Sequence, residues 1–287
     1  MKHPLALTIA GSDSGGGAGI QADLKTFAAL GVHGASAIAC LTAQNPKRVL
    51  AIEPCPPKML RQQIEAVFEE LNPRAVKTGM LYSTENISIV ANFFRNQKST
   101  IKNFKLVVDP VLVSTSGTKL LEPKALKILK EKLLPLAALV TPNLFEAEML
   151  TGEKISSIEE MRIAARKIHL EFGCTVLVKG GHLRGISEAA DIFYDGQTEL
   201  LLSAPFVIGI RTHGTGCVYS AAICAALALG KNLPQAVQIG KKFITQAIAK
   251  SYKIGKHGEY FALGFFEFKN PASAAGKIES HSSPERK

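Results

Sequence analysis

Residues 212–217 read Thr-His-Gly-Thr-Gly-Cys and lead directly into an apolar, alanine-rich run at residues 218–229. Two glycines in a tight turn before a helix leave backbone N–H groups unpaired and directed outward. These donors and the helix dipole form a concave site for an anion such as phosphate. Cys217 is predicted to lie on the first helical turn, beside that anion. The pattern favours phosphoryl transfer, although the same glycines could simply pack a helix onto a sheet, with Cys217 as a packing residue.

Around this motif, short apolar runs alternate with amphipathic stretches, which predicts a parallel sheet covered by helices. The predicted strands are residues 5–10, 35–41, 75–78, 105–110, 138–141 and 174–179. The predicted helices are residues 20–30, 57–71, 83–94, 123–134, 143–150, 157–172, 217–229 and 233–252. The helix at 157–172 begins with a Ser157-x-x-Glu160 capping box. Residues 191–194 and 198–202 flank Asp195-Gly196 and predict a hairpin.

We therefore expect a single α/β domain at residues 1–269. Its fold is a doubly wound, mainly parallel sheet flanked by helices, with a small β-hairpin. From residue 270 the composition shifts to Pro, Ser, Ala, Gly and charged residues. Residues 270–287 are accordingly expected to form a disordered tail.

Composition and charge exclude several classes of protein. No uninterrupted apolar stretch approaches the ~20 residues that cross a bilayer, and the start is too short for a secretory signal, so we expect a cytoplasmic protein without a membrane partner. The net charge is +10, but the lysines and arginines are scattered and lack interleaved aromatic residues, which argues against nucleic acid. A basic surface that attracts phosphorylated small molecules explains the charge equally well. The five cysteines form no Cys-x-x-Cys pair, so neither disulfides nor a zinc site is indicated.

The first predicted strand leads into a glycine-rich run, residues 11–19, at the edge of the sheet where ligands bind. The run lacks the Gly-Lys-Ser/Thr ending of a Walker A loop and departs from Gly-x-Gly-x-x-Gly spacing. We expect its backbone to approach a ligand closely. Asp23 follows on the next helix, either as a polar site residue or as an exposed helix-start carboxylate. Gln44 and Asn45 follow the second strand and could read a polar heterocycle or simply form a turn.

Four further polar residues lie at predicted strand ends or helix starts. Asp109 could help to hold Mg²⁺ or lie near phosphates. Asn143-x-x-Glu146 suits water-mediated contact with Mg²⁺ and phosphate, although a plain N-cap is an equally good account. Lys179 ends a buried strand, where a lysine is costly unless it faces an anion or solvent. We therefore favour phosphate contact for Lys179.

Seven motifs along residues 5–265 resemble those of the hydroxymethylpyrimidine/phosphomethylpyrimidine kinases of thiamine biosynthesis, a branch of the ribokinase-like superfamily. The first is residues 10–27, Ala-Gly-Ser-Asp-Ser-Gly-Gly-Gly-Ala-Gly-Ile-Gln-Ala-Asp-Leu-Lys-Thr-Phe. The others are Thr-Ala-Gln-Asn at 42–45, Lys-Thr-Gly-Met-Leu at 77–81, Val-Asp-Pro-Val at 108–111, Thr-Pro-Asn-Leu-x-Glu at 141–146, Val-Lys-Gly-Gly-His at 178–182 and His-Gly-Thr-Gly-Cys at 213–217. Several of these motifs are long, so chance explains them poorly.

The resemblance implies an ATP- and Mg²⁺-dependent kinase that phosphorylates a hydroxymethylpyrimidine and then its monophosphate. The implied substrate-binding residues are Gln44 on the aminopyrimidine, with Asp23, Ala18, Gly11, Met80 and Val111. The implied catalytic residues are Cys217, Lys179 and the anion hole of Gly214 and Gly216. ATP would be served by Asn143, Lys179 and Thr215, and its metal by Glu146 and Asp109. Relatives of this kind are commonly homodimers, so a homodimer is expected.

Cys217 stands where most of the superfamily has an aspartate that takes the hydroxyl proton, and in this it agrees with the branch that it resembles. A helix N-terminus can lower the pKa of such a thiol toward neutrality. Two alternatives stay open: a pyridoxine or pyridoxal kinase of the same superfamily, and, more remotely, a non-catalytic sensor of phosphorylated metabolites.

Overall fold

Nine strands form one sheet in the computed structural model, which describes residues 3–97, 104–113, 120–183, 185–207, 213–255 and 260–265. These strands are β1 (Leu5–Asp13), β2 (His33–Asn45), β3 (Arg48–Pro54), β4 (Ala75–Thr78), β5 (Lys105–Val108), β6 (Leu139–Val140), β7 (Thr175–Lys179), β8 (Glu188–Tyr194) and β9 (Glu199–Pro205). A separate antiparallel pair consists of β10 (Tyr252–Ile254) and β11 (Tyr260–Ala262). The predicted tail, residues 270–287, lies outside the described residues.

The strand order is β3-β2-β1-β4-β5-β6-β7-β8-β9. From β2 to β7 neighbouring strands are parallel, whereas β3 at one edge and β8 and β9 at the other are antiparallel. The chain moves from β1 to β2 on one side and then to β4 on the other, which makes β1/β4 a switch point where ligands bind at the carboxyl ends of strands. The predicted doubly wound fold and the β8–β9 hairpin are confirmed.

Helices cover both faces of the sheet. They are α1 (Gly19–Ala29), α2 (Pro57–Glu70), α3 (Thr84–Gln97), α4 (Ala125–Ile128), α5 (Leu144–Thr151), α6 (Ile158–Phe172), α7 (Thr215–Ala228) and α8 (Leu233–Ala249). Buried residues of α1, α7 and α8 form one core on one face, and those of α2, α3, α5 and α6 form another. Residues 218–228 of α7 are all buried, which explains why this helix is apolar on every side.

Several predicted element boundaries were wrong. Strand β2 runs on through Gln44 and Asn45, and it pairs with an edge strand, β3, that is mostly exposed and so lacks a clear apolar pattern. The predicted helix at 123–134 is broken into α4, a π-helical turn and a short 3-10 turn, because Pro135 removes a helical N–H. Helix α8 ends at Ala249. The prediction placed its end at residue 252, because no glycine or proline marks the end of this helix in the sequence.

Helix caps were predicted more closely. The Asn143–Glu146 capping box at α5 is complete. At α6, Ser157 accepts the Glu160 N–H, but the Glu160 carboxylate binds the Ser156 N–H instead of that of Ser157, so only half of the predicted box forms. No helix within the described ranges is both long and apolar enough to cross a bilayer.

Candidate active site

Asp13, the last residue of β1, organises the glycine-rich loop that follows it. Its Oδ1 accepts the Gly15 N–H at 2.8 Å, and its Oδ2 accepts the N–H groups of Gly17 at 3.0 Å and Ala18 at 2.8 Å. The His213 Nε2 lies 3.3 Å from the same Oδ2. Burial alone would raise the pKa of Asp13, but the hydrogen bonds from His213 and the loop amides hold it below its usual value. The loop is therefore built around an ionised carboxylate.

This first loop touches the loop that precedes α7. Gly214, the N-cap of α7, has a φ of 81°, and a Cβ there would overlap the Gly17 carbonyl oxygen. A Cβ on Gly17 would lie 3.0 Å from the His213 ring. Glycine at both positions lets the backbones approach to contact distance. The contact brings the carboxyl end of β1 to the N-terminus of α7, where the sequence predicts an anion site.

A small apolar cluster lies beside these loops. It consists of Cys40, Met80 and Leu120, with Val49, Ile52, Tyr82 and Val111 packed against it. A Cβ on Gly11 would lie 2.8 Å from the Cys40 Sγ and 3.5 Å from the Met80 Sδ, so Gly11 faces this cluster. Val111 has a φ of 44°, a strained conformation for a β-branched residue and one found mainly at functional sites. Three residues predicted to line the substrate site, Gly11, Met80 and Val111, thus lie together.

Gln44 reaches from β2 toward the same loops. Its backbone is held by Ser14, whose Oγ donates to the Gln44 carbonyl and accepts the Gln44 N–H, both at 2.8 Å. Its side-chain amide Nε2 lies 2.9 Å from the His213 Nε2. The half-buried amide thereby joins the predicted ring-binding end of the site to the residue next to Gly214.

Lys179, at the end of β7, faces the N-terminus of α7 on the other side. A Cβ on Gly216 would lie 3.3 Å from the Lys179 Nζ, which also pairs with the Asp109 Oδ1 at 2.9 Å. The other oxygen of Asp109 accepts the Ser220 hydroxyl of α7 at 3.0 Å. Burial alone would lower the pKa of Lys179, but Asp109 and Glu146 raise it above its usual value, so the ammonium stays charged.

Asn143 and Glu146 adjoin Lys179 at the start of α5. The Glu146 Oε2 accepts the Asn143 N–H at 2.9 Å, and its Oε1 accepts the Leu112 N–H at 3.2 Å. Burial, reinforced by nearby Asp109 and opposed by Lys179, raises the pKa of Glu146 above its usual value. The N-cap that the sequence offers as one account of this pair is present, and the structure places Asn143 beside Lys179.

The two carboxylates predicted to serve the metal fit water-mediated contact better than direct ligation. Over the described ranges no cluster of three or more His, Cys, Asp or Glu side chains is arranged to hold a metal ion. Every carboxylate oxygen of Asp109 and Glu146 already accepts a protein hydrogen bond. A carboxylate has about four acceptor positions, so lone pairs remain for water molecules on Mg²⁺.

The thiol of Cys217 lies on the first turn of α7 and accepts a hydrogen bond from the Gly19 N–H of α1. Burial raises the pKa of this thiol to about 11, aided by Asp23 and Asp109, while Lys77 and Gly19 act in the opposite direction. The helix N-terminus therefore does not lower this pKa toward neutrality. Desolvation of the thiolate outweighs the favourable amide and cation, and the thiol is neutral in the protein without ligands.

Comparison with known proteins adds to this geometry. Residues 13–261 match the family described as phosphomethylpyrimidine kinase. The hydroxymethylpyrimidine/phosphomethylpyrimidine kinase of Rhizobium meliloti (strain 1021) is 49% identical over 251 residues, covering 87% of this chain and 92% of that protein. The chain belongs to the phosphomethylpyrimidine kinase family. The resemblance inferred from its motifs is confirmed.

Solved structures of similar proteins agree with this assignment. The phosphomethylpyrimidine kinase from Clostridium difficile 630 is 45% identical with a TM-score of 0.74, covering 86% of this kinase and 100% of that chain. A pyridoxal kinase from Staphylococcus aureus in complex with ADP is 34% identical with a TM-score of 0.83, covering 92% and 94% of the two chains. The ribokinase-like fold is thus shared with a phosphomethylpyrimidine kinase and with a pyridoxal kinase.

Asp23 lies below the site of this kinase rather than on its surface. The carboxylate is fully buried; its Oδ2 accepts the Thr8 hydroxyl at 2.6 Å and pairs with the Lys77 Nζ at 2.9 Å. Its Oδ1 has no hydrogen-bond partner among the described residues. The alternative of an exposed helix-start carboxylate is therefore wrong, and substrate contact by Asp23 stays a prediction. In the structure, Asp23 forms an ion pair with Lys77.

The sequence reasoning missed three residues of the kinase site. Lys77 is the second-last residue of the buried strand β4, and a charged residue in an otherwise buried strand is the same kind of signal that singled out Lys179. Asp13 precedes Ser-Gly-Gly, a pattern typical of a carboxylate that accepts loop N–H groups. His213 gave no signal of its own, because its partners Gln44 and Asp13 are distant in sequence.

Proposed function

We propose that this kinase transfers the γ-phosphoryl group of ATP to the hydroxymethyl group of 4-amino-5-hydroxymethyl-2-methylpyrimidine and then phosphorylates the monophosphate to the diphosphate, in thiamine biosynthesis. One observation carries the proposal. The Gln44 amide, suited to reading a polar ring, contacts His213, which immediately precedes the anion-binding start of α7. A ring and a phosphate bound at these two points would be neighbours.

The ring would lie between Gln44 and the apolar cluster of Cys40, Met80 and Val111. An aminopyrimidine needs hydrogen-bond partners at its edge and apolar contact on its faces. Ala18, whose N–H is bound to Asp13, would close the site from the start of α1. This arrangement directs the hydroxymethyl group toward α7.

Transfer of the phosphoryl group would take place over the N-terminus of α7. The substrate oxygen forms a bond to the γ-phosphorus while the bond to the β-phosphate oxygen breaks, and ADP leaves. The amides of Gly214–Gly216 and the Lys179 ammonium stabilise the charge on the group in transit. Lys179 is held for this role by Asp109.

ATP and Mg²⁺ belong to this proposal. The ADP complex of the similar pyridoxal kinase supports a nucleotide at this fold. Mg²⁺, when bound, would neutralise phosphate charge, with Asp109 and Glu146 accepting hydrogen bonds from its water molecules. Asn143 and Thr215, at two helix starts that flank Lys179, would contact the nucleotide phosphates.

Cys217 would act mainly by position. Because its thiol is neutral, it does not hold a preformed base; in a loose transition state the hydroxyl proton leaves late, to an oxygen of the transferred phosphoryl group. We expect Cys217→Ser to retain some activity and Cys217→Asp to substitute for the native residue. Full activity in Cys217→Ala would remove any role for the thiol.

A pyridoxine or pyridoxal kinase is the second candidate, because the S. aureus pyridoxal kinase is similar over 92% of this chain. The two functions are separated by kcat/KM for the pyrimidine and for pyridoxal at matched ATP. We expect the pyrimidine to be preferred and only its monophosphate to accept a second phosphoryl group. Preference for pyridoxal, with no diphosphate formed, would overturn the proposal in favour of the second candidate.

A homodimer in the cytoplasm completes the proposal. Leu41 and Leu50 are exposed on neighbouring strands β2 and β3 and offer an apolar surface for a second copy. Sedimentation equilibrium of the wild type and of Leu50→Lys tests this: the variant should shift toward monomer, whereas an unchanged mass would exclude this surface as the interface.

A further inference from the structure

His213 lies at the junction of three segments of the site. Its Nε2 is 2.9 Å from the Gln44 amide on β2 and 3.3 Å from the Asp13 Oδ2 on β1, and its ring packs on Gly17 of the glycine-rich loop. The next residue, Gly214, caps α7. A single ring nitrogen therefore faces both a carboxylate and the amide that is expected to bind substrate.

The Asp13 carboxylate determines which ring nitrogen of His213 carries the proton. Asp13 accepts three loop N–H groups and has a pKa below its usual value, so it is ionised near neutral pH. A bare Nε2 would direct its lone pair at that negative charge, which is repulsive, whereas Nε2–H donates to it. The structure therefore favours a proton on Nε2 of His213.

A proton on Nε2 in turn fixes the side-chain amide of Gln44. An N–H cannot face the Gln44 NH₂ group, so the amide must present its oxygen to His213, and the single Nε2–H is shared between this oxygen and the Asp13 Oδ2 in a three-centre hydrogen bond. Its NH₂ group then takes the place of the Gln44 Oε1, which lies 3.3 Å from the Thr42 Oγ1 before the amide is turned over. Thr42 has one hydroxyl proton and donates it to the Ser12 carbonyl at 2.9 Å, so its oxygen can accept from Gln44.

We propose that His213 is a positioning residue that, held by Asp13, orients the Gln44 amide so that one N–H stays free for an acceptor atom on the substrate ring. One N–H binds Thr42, the oxygen accepts from His213, and among the described residues the Gln44 amide has no third partner for its second N–H. The site then selects rings that carry an unprotonated nitrogen at that edge. This inference rests on the proposed function, in which Gln44 binds the pyrimidine.

The test varies substrate and protein together. The substrates are the aminopyrimidine and two analogues in which each ring nitrogen in turn is replaced by C–H. In the wild type, kcat/KM should fall at least about tenfold for one of the two analogues, because the amide N–H loses its acceptor. In His213→Leu that discrimination should shrink to less than about threefold, mainly through a higher KM for the parent pyrimidine, with KM for ATP unchanged.

Two further variants separate orientation from folding. His213→Gln keeps an N–H near the position of Nε2 and should restore most of the discrimination. His169→Leu is the matched control, because His169 is also half-buried and bonded through one ring nitrogen, to the Cys174 carbonyl on the far side of the domain. It should discriminate as the wild type does.

The outcomes are distinct. If the wild type does not phosphorylate the pyrimidine, the proposed function fails; if it does, but His213→Leu discriminates as strongly as the wild type, this inference fails. Should His213→Leu not fold, ¹⁵N–¹H correlation spectra of the histidine rings in the wild type decide. A protonated Nε2 on His213 supports the inference, and a bare Nε2 overturns it.

Discussion

Replacing Gly214 with alanine tests the contact between the two glycine-rich loops. Gly214 has a left-handed backbone, and an added methyl group would overlap the Gly17 carbonyl oxygen. Gly230, just beyond the other end of α7, is the matched control, with a φ of 84° and no atom within 4 Å of an added Cβ. The two substitutions share the backbone strain and differ in the overlap.

The expected magnitudes follow from that difference. The left-handed conformation costs alanine about 1 kcal/mol relative to glycine, so Gly230→Ala should lose about that much stability and keep its kcat. Gly214→Ala carries the same cost and must also move the loops apart, which adds about 1–3 kcal/mol. If these amides bind the transferred phosphoryl group as proposed, displacing them by about 1 Å should lower kcat by about 10².

Urea unfolding gives the two losses in stability, and ADP release with the pyrimidine gives the two kcat values at a temperature where both variants are folded. Wild-type kcat in Gly214→Ala would refute the reasoning, because the overlap could then be relieved without moving the catalytic amides. Equal losses of kcat in both variants would also refute it.

Three further predictions concern the side chains of Cys217, Lys77 and Lys179. The raised pKa of Cys217, about 11 against an ordinary 9.0, makes its thiolate about 100-fold scarcer near pH 8. Alkylation of Cys217 by iodoacetamide should therefore be slow, and its rate should still increase above pH 9. A rate that reaches a plateau near pH 7–8 would contradict the burial argument. Lys77→Met leaves the buried Asp23 carboxylate without its ion pair and should lower the free energy of unfolding in urea by about 3–5 kcal/mol. The control Lys167→Met breaks an exposed ion pair and should lower it by less than about 1 kcal/mol. Similar losses in the two variants would contradict the argument from burial. Lys179→Met should lower kcat/KM for ATP by about 10², and a change below threefold would show that this ammonium does not face the phosphates.

Local signals in the sequence were enough for much of the fold. The alternation of apolar runs and helices predicted the parallel sheet, and the Asn143–Glu146 pair marked the start of α5 because capping acts within four residues. Strand β3 was missed because it is an exposed edge strand, and the end of α8 was missed because no breaker residue follows it. The sequence therefore could not delimit elements whose bounds depend on packing and not on a local pattern of apolar residues or helix breakers.

In the candidate site too, local sequence signals identified some residues, whereas features that depend on long-range contacts were missed. Lys179 could be singled out because a lysine at the end of a buried strand is conspicuous, and the structure places it against Gly216. The pKa of Cys217 could not be read from its place on a helix, since burial and neighbouring carboxylates outweigh the helix terminus. The His213–Gln44 contact joins residues 169 positions apart and is visible only once the strands are in order.

The most direct measurement of the central claim is a ³¹P NMR time course of the purified protein with excess ATP, Mg²⁺ and the hydroxymethylpyrimidine. The account predicts a monophosphate signal that rises and is then replaced by the two signals of a diphosphate, with two ATP consumed per ring. A monophosphate that accumulates without further conversion, or ATP that stays intact, would contradict it.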